Sequence, residues 1–138
     1  MKSKGTRAER ELVHLFYEAG WSAIRSAGSG SMPLPSPDVL AGNGKRYVAV
    51  ECKAIAGTAH YFPQDEIAQL QEFATRFGAE PWIGIRFDKK DWFFIPLEEV
   101  QQSKGAHFVV TLAFAQAHGF TFEALASRQN HSLPERLP

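Results

Sequence analysis

The alternation of apolar and polar residues divides the chain into short segments with helical or extended periodicity. Residues 6–19 have the pattern of an amphipathic helix, and residues 63–77 have that of a second helix, which begins at Pro63 and is followed by Gly78. A short third helix is predicted at 120–127. Strands are predicted at 21–26, 37–41, 48–53, 81–87, 92–95 and 108–112, and a single helical turn at 97–100.

This order of elements predicts an α/β fold with a mixed central β-sheet flanked by helices. The helix between Lys53 and Trp82 is long enough to connect two parallel strands. A length of 138 residues suits one domain, which we expect to span residues 1–127, with a flexible tail at 128–138. Residues 54–62 are expected to form a variable connection.

Two apolar runs flank Asn43-Gly44, the strongest local signal for a β-hairpin with a two-residue turn. With this pair at the turn centre, Asp38 lies diagonal to Glu51 on one face of the hairpin. Lys53 shares that face, because side chains alternate along a strand. A one-residue shift of the register would separate the two carboxylates, so the candidate site depends on this turn.

Composition narrows the class of protein. The formal net charge is zero, with 15 basic and 15 acidic residues, which by itself gives no indication of a nucleic-acid partner. No apolar run approaches the roughly 20 residues that span a bilayer, and no apolar stretch of a secretory signal follows the basic N-terminus. The single cysteine, Cys52, is expected to be a small buried thiol. These features predict a cytoplasmic protein with no membrane partner.

Glu9 lies at the end of the apolar stripe of the first helix, beside Leu12 and Phe16. The spacing alone leaves two explanations open. Glu9 follows Thr6 by three residues, which is the spacing of a helix capping box. Alternatively, it faces a buried cation, because an unpaired charge on an inward face is costly.

Basic residues are concentrated in the first ten positions, where Glu9 alone opposes Lys2, Lys4, Arg7 and Arg10. This cluster is either a phosphate-binding patch or a solvated basic end.

Residues 27–37 form a loop of small residues and prolines that leads directly to Asp38. Loops beside a rigid site often contact substrate. Ser29 and Ser31 either offer hydroxyl and amide groups to a phosphate or belong to a plain linker.

Three carboxylates and one amine therefore point toward one place: Glu9, Asp38, Glu51 and Lys53. Carboxylate oxygens suit Mg²⁺, which usually takes one or two protein carboxylates and completes its shell with water or substrate oxygens. Such a cation stabilises charge on a phosphate and activates water, while a lysine orients the water or neutralises charge. Together these groups favour hydrolysis of a phosphodiester bond.

The residues of this candidate site also follow a known pattern. Pro37-Asp38 and Glu51-Cys52-Lys53 resemble the PD-(D/E)-x-K nuclease signature. Over residues 2–100 the chain resembles the archaeal-type Holliday junction resolvases, the Hjc-like family, through K-G-x-x-x-E-R at 4–10, Ser29-Gly30-Ser31 and F-A-x-x-x-G at 73–78. Two features depart from the pattern: Glu66 stands where such nucleases often have glutamine, and the net charge is neutral rather than basic.

The resemblance implies a restriction-endonuclease-like core and a homodimer that cuts two opposed strands of a four-way DNA junction. It implies Mg²⁺ as cofactor, with Mn²⁺ as a substitute, and a nucleoid location. The catalytic residues it implies are Glu9, Ser29, Asp38, Glu51 and Lys53, of which Glu9, Asp38 and Glu51 hold the metal. The DNA-binding residues expected with it are Lys2, Lys4, Arg7, Arg10, Arg25, Ser29 and Ser31.

Two other functions stay open. An endonuclease of the same fold could act on duplex DNA in restriction or repair, because junction choice depends on dimer geometry. A non-catalytic DNA-binding subunit is a third possibility, although such a scaffold has no physical need for the four candidate residues. For a dimer, we expect some of the apolar surface of segments 92–94 and 108–114 to form the interface, with the protein core as an equally good place for any single residue.

Overall fold

The structure is a computed structural model that describes residues 4–26 and 34–128. Its helices are α1 (Lys4–Glu18), α2 (Gln64–Phe77), α3 (Leu112–His118) and α4 (Phe122–Ser127). Its strands are β1 (Ser22–Arg25), β2 (Val39–Gly42), β3 (Tyr47–Ile55), β4 (Ala59–Pro63), β5 (Glu80–Phe87), β6 (Trp92–Pro96), β7 (Gln101–Gln102) and β8 (His107–Thr111). A single 3₁₀ turn, Leu97–Glu99, follows β6. No helix in the described ranges is long and apolar enough to cross a membrane.

Five strands form the central sheet, in the order β1-β2-β3-β5-β6. Strand β2 is antiparallel to both β1 and β3, and β6 is antiparallel to β5. Strands β3 and β5 are parallel, because α2 carries the chain from one end of the sheet back to the other. This mixed sheet with flanking helices confirms the predicted fold class.

An apolar layer covers each face of the central sheet. On one face, α1 and α4 pack Phe16 and Leu125 against the strands. On the other face, α2 and a second sheet of order β4-β8-β7 pack Leu70 and Phe62 against them. Residues alternate between the two layers along β3, so Cys52 faces α1, while Glu51 and Lys53 face α2. The thiol of Cys52 is buried, as predicted.

The connection between β2 and β3 differs from the predicted two-residue turn. It is a four-residue loop at 43–46, in which the Asn43 Oδ1 accepts hydrogen bonds from the backbone amides of Lys45 and Arg46 at 2.9 and 2.7 Å. Val39 pairs with Val50, so the register is displaced by two residues from the prediction. A two-residue displacement leaves every side chain on its predicted face. Asp38 therefore comes to lie opposite Glu51 instead of diagonal to it.

Arg46, the last residue of this loop, clamps distant parts of the chain together. Its guanidinium is 3% exposed and donates two hydrogen bonds of 2.9 Å to the carboxylate of Glu80. It also donates to the carbonyl oxygens of Leu125 and Arg128, at 2.7 and 3.0 Å. Arg128, with which the predicted flexible tail begins, is thus hydrogen-bonded through its carbonyl oxygen, and the flexibility of the tail stays a prediction. Residues 129–138 lie outside the described part of the chain.

Three elements were not predicted. Residues 54–62 contain the end of β3 and most of β4, where only Phe62 is fully buried and the apolar period is too short to be recognised. Strand β7 is only two residues long. Helix α3 follows β8 without a break, and Thr111 caps it by accepting a hydrogen bond from the Phe114 amide at 3.0 Å.

The late apolar segments contribute to the core more than to the surface. Trp92, Phe94 and Val110 are buried within the single chain. These three residues therefore belong to the core, the alternative that the sequence left open for each of them, because the two layers described above enclose them.

Candidate active site

Asp38 is fixed at the point where β2 begins. The backbone amide of Cys52, on the neighbouring strand β3, donates a hydrogen bond to its Oδ2 at 2.8 Å. Its carbonyl oxygen accepts a hydrogen bond from the Ser26 amide, also at 2.8 Å. Just before β2 begins, the Asp38 side chain thus accepts the hydrogen bond that a backbone carbonyl would accept within the sheet. This holds the carboxylate in a defined position.

Glu51 faces Asp38 across the strand pair, and each of the two carboxyl groups influences the pKa of the other. Burial is the main cause that raises the pKa of Glu51 to about 8, and the charges of Asp38 and Glu66 act in the same direction. Burial also raises the pKa of Asp38, although the Cys52 amide and Lys53 oppose the rise. Near neutral pH, Glu51 therefore keeps its proton, because two adjacent negative charges in a half-buried site are costly.

Lys53 lies two residues further along the same face of β3. Its ammonium is 3.5 Å from Oε2 of Glu66, in the first turn of α2, and the two side chains are 27% and 31% exposed. The other carboxylate oxygen, Oε1, is buried and has no hydrogen-bond partner among the described residues. Glu66 was not among the predicted site residues, and its only signal in the sequence was its place where glutamine is common.

Glu9 reaches the same neighbourhood from α1. Its side chain is 17% exposed and accepts a hydrogen bond from Nη1 of Arg25 at 3.4 Å. Burial and the charge of Asp38 raise the pKa of Glu9, while Arg25 and Lys53 lower it. Helix α1 already begins at Lys4, so Thr6 lies inside the helix and the capping-box explanation is wrong. In this structure the cation beside Glu9 is the half-buried guanidinium of Arg25.

Of the remaining predicted residues, four lie in the described part of the chain and three lie outside it. Arg7 and Arg10 are exposed on α1. Arg25 is held by Glu9 and also donates a hydrogen bond to the Ser26 carbonyl at 3.3 Å. Lys4 opens α1, whereas three predicted residues lie outside the described part of the chain: Lys2, Ser29 and Ser31.

The Asp38–Glu51 pair has the chemistry of a site for a hard divalent cation. Its donors are all oxygens, and a cation would relieve the repulsion that one retained proton now relieves. Within residues 4–26 and 34–128, no three His, Cys, Asp or Glu side chains form a metal-binding cluster by themselves. A cation that keeps several waters, as Mg²⁺ does, needs only two protein carboxylates.

Comparison with known proteins agrees with this geometry. The sequence model of the family described as archaeal Holliday junction resolvase (Hjc) matches residues 1–132. The crossover junction endodeoxyribonuclease Hjc of Archaeoglobus fulgidus is 44% identical over 104 residues, which are 75% of this chain and 76% of that protein. Hjc of Methanocaldococcus jannaschii is 32% identical over 107 residues, with 78% and 75% covered. The solved structure of Archaeoglobus fulgidus Hjc, a Holliday junction resolvase, matches with a TM-score of 0.83 and 35% identity, covering 89% of this chain and 100% of that one.

Proposed function

The chain belongs to the archaeal Holliday junction resolvase family and is a metal-dependent endonuclease that resolves four-way DNA junctions, and we propose that it does so with Mg²⁺ held by Asp38 and Glu51. One observation carries the assignment of the site. Two half-buried carboxyl groups lie opposite each other on neighbouring strands, with Lys53 on the same strand face. This arrangement is costly for folding and suits a cation and a phosphate.

The cation, once bound, supplies charge stabilisation at the scissile phosphate and lowers the pKa of a water. Asp38 and Glu51 hold it, with Mn²⁺ as an alternative of similar ligand preference. For this, Glu51 must release the proton that its raised pKa retains near neutral pH. The Cys52 amide keeps Asp38 in place while this happens, because its hydrogen bond comes from the rigid backbone of β3.

Lys53 acts on the phosphate and on the attacking water. Its ammonium neutralises negative charge that develops on the phosphate, and its hydrogens orient the water for attack. Glu9 adds a third carboxylate from α1 as a metal ligand, and Ser29 contributes a hydroxyl from the loop before Asp38. These two roles rest on the family pattern, and for Glu9 also on its proximity to Asp38.

Junction DNA binds beside this site through cationic side chains. Arg7 and Arg10 are exposed on the helix that carries Glu9, and Arg25 is next to Glu9. With Lys2, Lys4, Ser29 and Ser31, they contact phosphates and so fix the register of the DNA without reading its sequence. The local patch provides the affinity that the neutral net charge does not.

A homodimer supplies the two cuts that resolution requires. One protomer holds a complete site, so a two-fold axis places two sites on opposed strands. The described surface offers an apolar face for this contact, made of Ile24, Leu34, Tyr47 and Phe77, all of which are exposed. Leu40 lies on this face between Ile24 and Tyr47, and it is two residues from Asp38 in the sequence. The proposed dimer surface is therefore next to the active site.

The test is cleavage of a mobile four-way junction beside a duplex of matched sequence, with and without Mg²⁺. We expect symmetric cuts in the junction only, and only with the metal. Asp38→Asn and Glu51→Gln should each abolish cleavage while junction binding persists, because affinity comes from cationic contacts to phosphates. Equal cutting of the duplex would contradict junction selectivity. Cleavage by either variant at the unaltered rate would contradict the metal site.

A further inference from the structure

Glu66 lies beside the site, and the proposed chemistry gives it no role. It projects from the first turn of α2, so a rigid helix sets its position. One of its oxygens lies 3.5 Å from the Lys53 ammonium. The other is buried without a hydrogen-bond partner among the described residues. Burying an unsatisfied carboxylate oxygen costs free energy, so the residue needs an explanation other than stability.

The surroundings of Glu66 strengthen this point. Asp38 and Glu51 are already crowded carboxyl groups, and the negative charge of Glu66 acts on both of them. A third carboxylate beside them adds repulsion to the fold. A glutamine at this place would have nearly the same shape without that charge. The charge does, however, supply an opposite partner to Lys53, whose flexible four-carbon stem otherwise allows many positions.

We propose that Glu66 is a positioning residue, which restrains the ammonium of Lys53 beside the Asp38–Glu51 pair so that it meets the scissile phosphate. This inference rests on the proposed function of Lys53. Glu66 acts through Lys53 and touches neither DNA nor the cation. The restraint comes from α2, whereas Lys53 itself is on β3. Removing the charge should therefore lower the rate of the chemical step and leave junction binding unchanged.

The experiment compares Glu66→Gln with Glu72→Gln. Glu72 is on the same helix and forms an exposed ion pair with Arg76 at 3.3 Å, so the control also loses one charge and one ion pair. Losing an orienting partner of a site residue typically lowers activity about 10–100-fold. We expect such a fall in kcat for Glu66→Gln, with KM for the junction within about twofold of the unaltered value. Glu72→Gln should retain the unaltered kcat.

Two further measurements distinguish positioning from a structural role. In metal-free buffer, the melting temperature of Glu66→Gln should not fall below that of Glu72→Gln. In single-turnover reactions with excess enzyme, Glu66→Gln should cause no additional loss in a Lys53→Met background, because the residue it restrains is already absent.

An unchanged kcat, a kcat loss accompanied by a lower melting temperature, or a full additional loss in the Lys53→Met background would each overturn the role of Glu66. Absence of junction cleavage by the unaltered protein would instead overturn the proposed function, and this inference with it.

Discussion

At the residue scale, Asp38 and Glu51 determine how the site responds to pH. Burial and the Asp38 charge raise the pKa of Glu51 from its ordinary 4.5 to about 8. Between these values the unfolded chain has lost the Glu51 proton, whereas the folded chain keeps it. Unfolding then releases a proton, so rising pH favours the unfolded state. The raised pKa values of Asp38 and Glu9 act in the same sense.

We therefore expect the metal-free protein to lose stability as the pH rises from about 4.5 to about 8, with no further loss from Glu51 above that range. Glu51→Gln removes the titrating carboxyl group and with it this pH dependence of stability. The melting temperature of the variant minus that of the unaltered protein should grow from about pH 5 to about pH 8 and then level off. Addition of Mg²⁺ at pH 8.5 should raise the melting temperature of the unaltered protein and have little effect on the variant. A difference that stays constant with pH would contradict the raised pKa of Glu51.

The sequence was sufficient to identify this pair, because the alternation of side chains tolerates an error of two residues in register. The predicted turn was wrong, yet Asp38, Glu51 and Lys53 remained on one face. Glu66 could not be assigned in the same way. Its contact with Lys53 depends on how α2 packs against β3, and no local period reports that packing.

At the scale of elements, Arg46 connects the β2–β3 loop to strand β5 and to the end of α4. Its carboxylate partner, Glu80, also accepts a hydrogen bond from the Trp82 indole at 3.1 Å. The guanidinium further lies over the Trp21 ring, 5.3 Å from its centroid. Because the loop that sets the hairpin register ends at Arg46, these contacts also stabilise that register.

We expect Arg46→Ala to lower the free energy of unfolding by about 3 kcal/mol, because it leaves the Glu80 carboxylate buried with one remaining partner. Urea unfolding measures this change directly. Lys104→Ala, in an exposed loop, should change stability by less than about 0.5 kcal/mol. A loss for Arg46→Ala as small as that of the control would show that α4 does not depend on the clamp.

Elements with a long regular period were predicted correctly, and short ones were not. Helix α2 was identified with its Gly78 C-cap, which adopts the left-handed conformation at φ 87°. Strand β4 was missed because only one of its five residues is buried. Its sequence therefore lacks the alternation of apolar and polar residues that indicates a strand. Helix α3 was missed because its apolar residues continue directly from β8.

At the scale of the whole molecule, the exposed apolar face made of Ile24, Leu34, Tyr47 and Phe77 is the surface that we propose for dimer assembly. Phe77 lies at the centre of this face and is 51% exposed. Its ring is stacked on Phe73 and edge-on to Tyr47. Exposed aromatic residues of this kind commonly mark an interface. Sequence patterns had directed attention to the late apolar segments, because periodicity does not distinguish a second core layer from an interface.

We expect Phe77→Glu to convert a dimer to a monomer, because each charge would be buried against its symmetry mate. Sedimentation velocity at micromolar concentration checks this, and circular dichroism checks that the fold persists. Tyr61→Glu is the matched control, since Tyr61 is 57% exposed on β4, away from this face. The monomer should lose paired junction cuts. A Phe77→Glu protein that remains dimeric would place the interface elsewhere.

Junction affinity should depend steeply on salt through the N-terminal basic residues. Each phosphate contact contributes about 0.9 to the slope of log affinity against log salt. Replacing Arg7 and Arg10 together by alanine should therefore reduce that slope by about 2. Fluorescence anisotropy with Ca²⁺ in place of Mg²⁺ measures binding without cleavage. Lys104→Ala should leave the slope unchanged, and a double variant that also leaves it unchanged would exclude α1 from DNA contact.

The hydrogen bond from the Cys52 amide to Asp38 gives the molecule an internal spectroscopic reporter. The chain contains one cysteine, so incorporation of ¹⁵N-cysteine alone yields a single amide peak in a two-dimensional NMR spectrum. The chemical shift of that peak follows the charge and the ligands of the carboxylate to which the amide donates. A titration with magnesium chloride would then be read from one resonance, with neither DNA nor turnover in the tube.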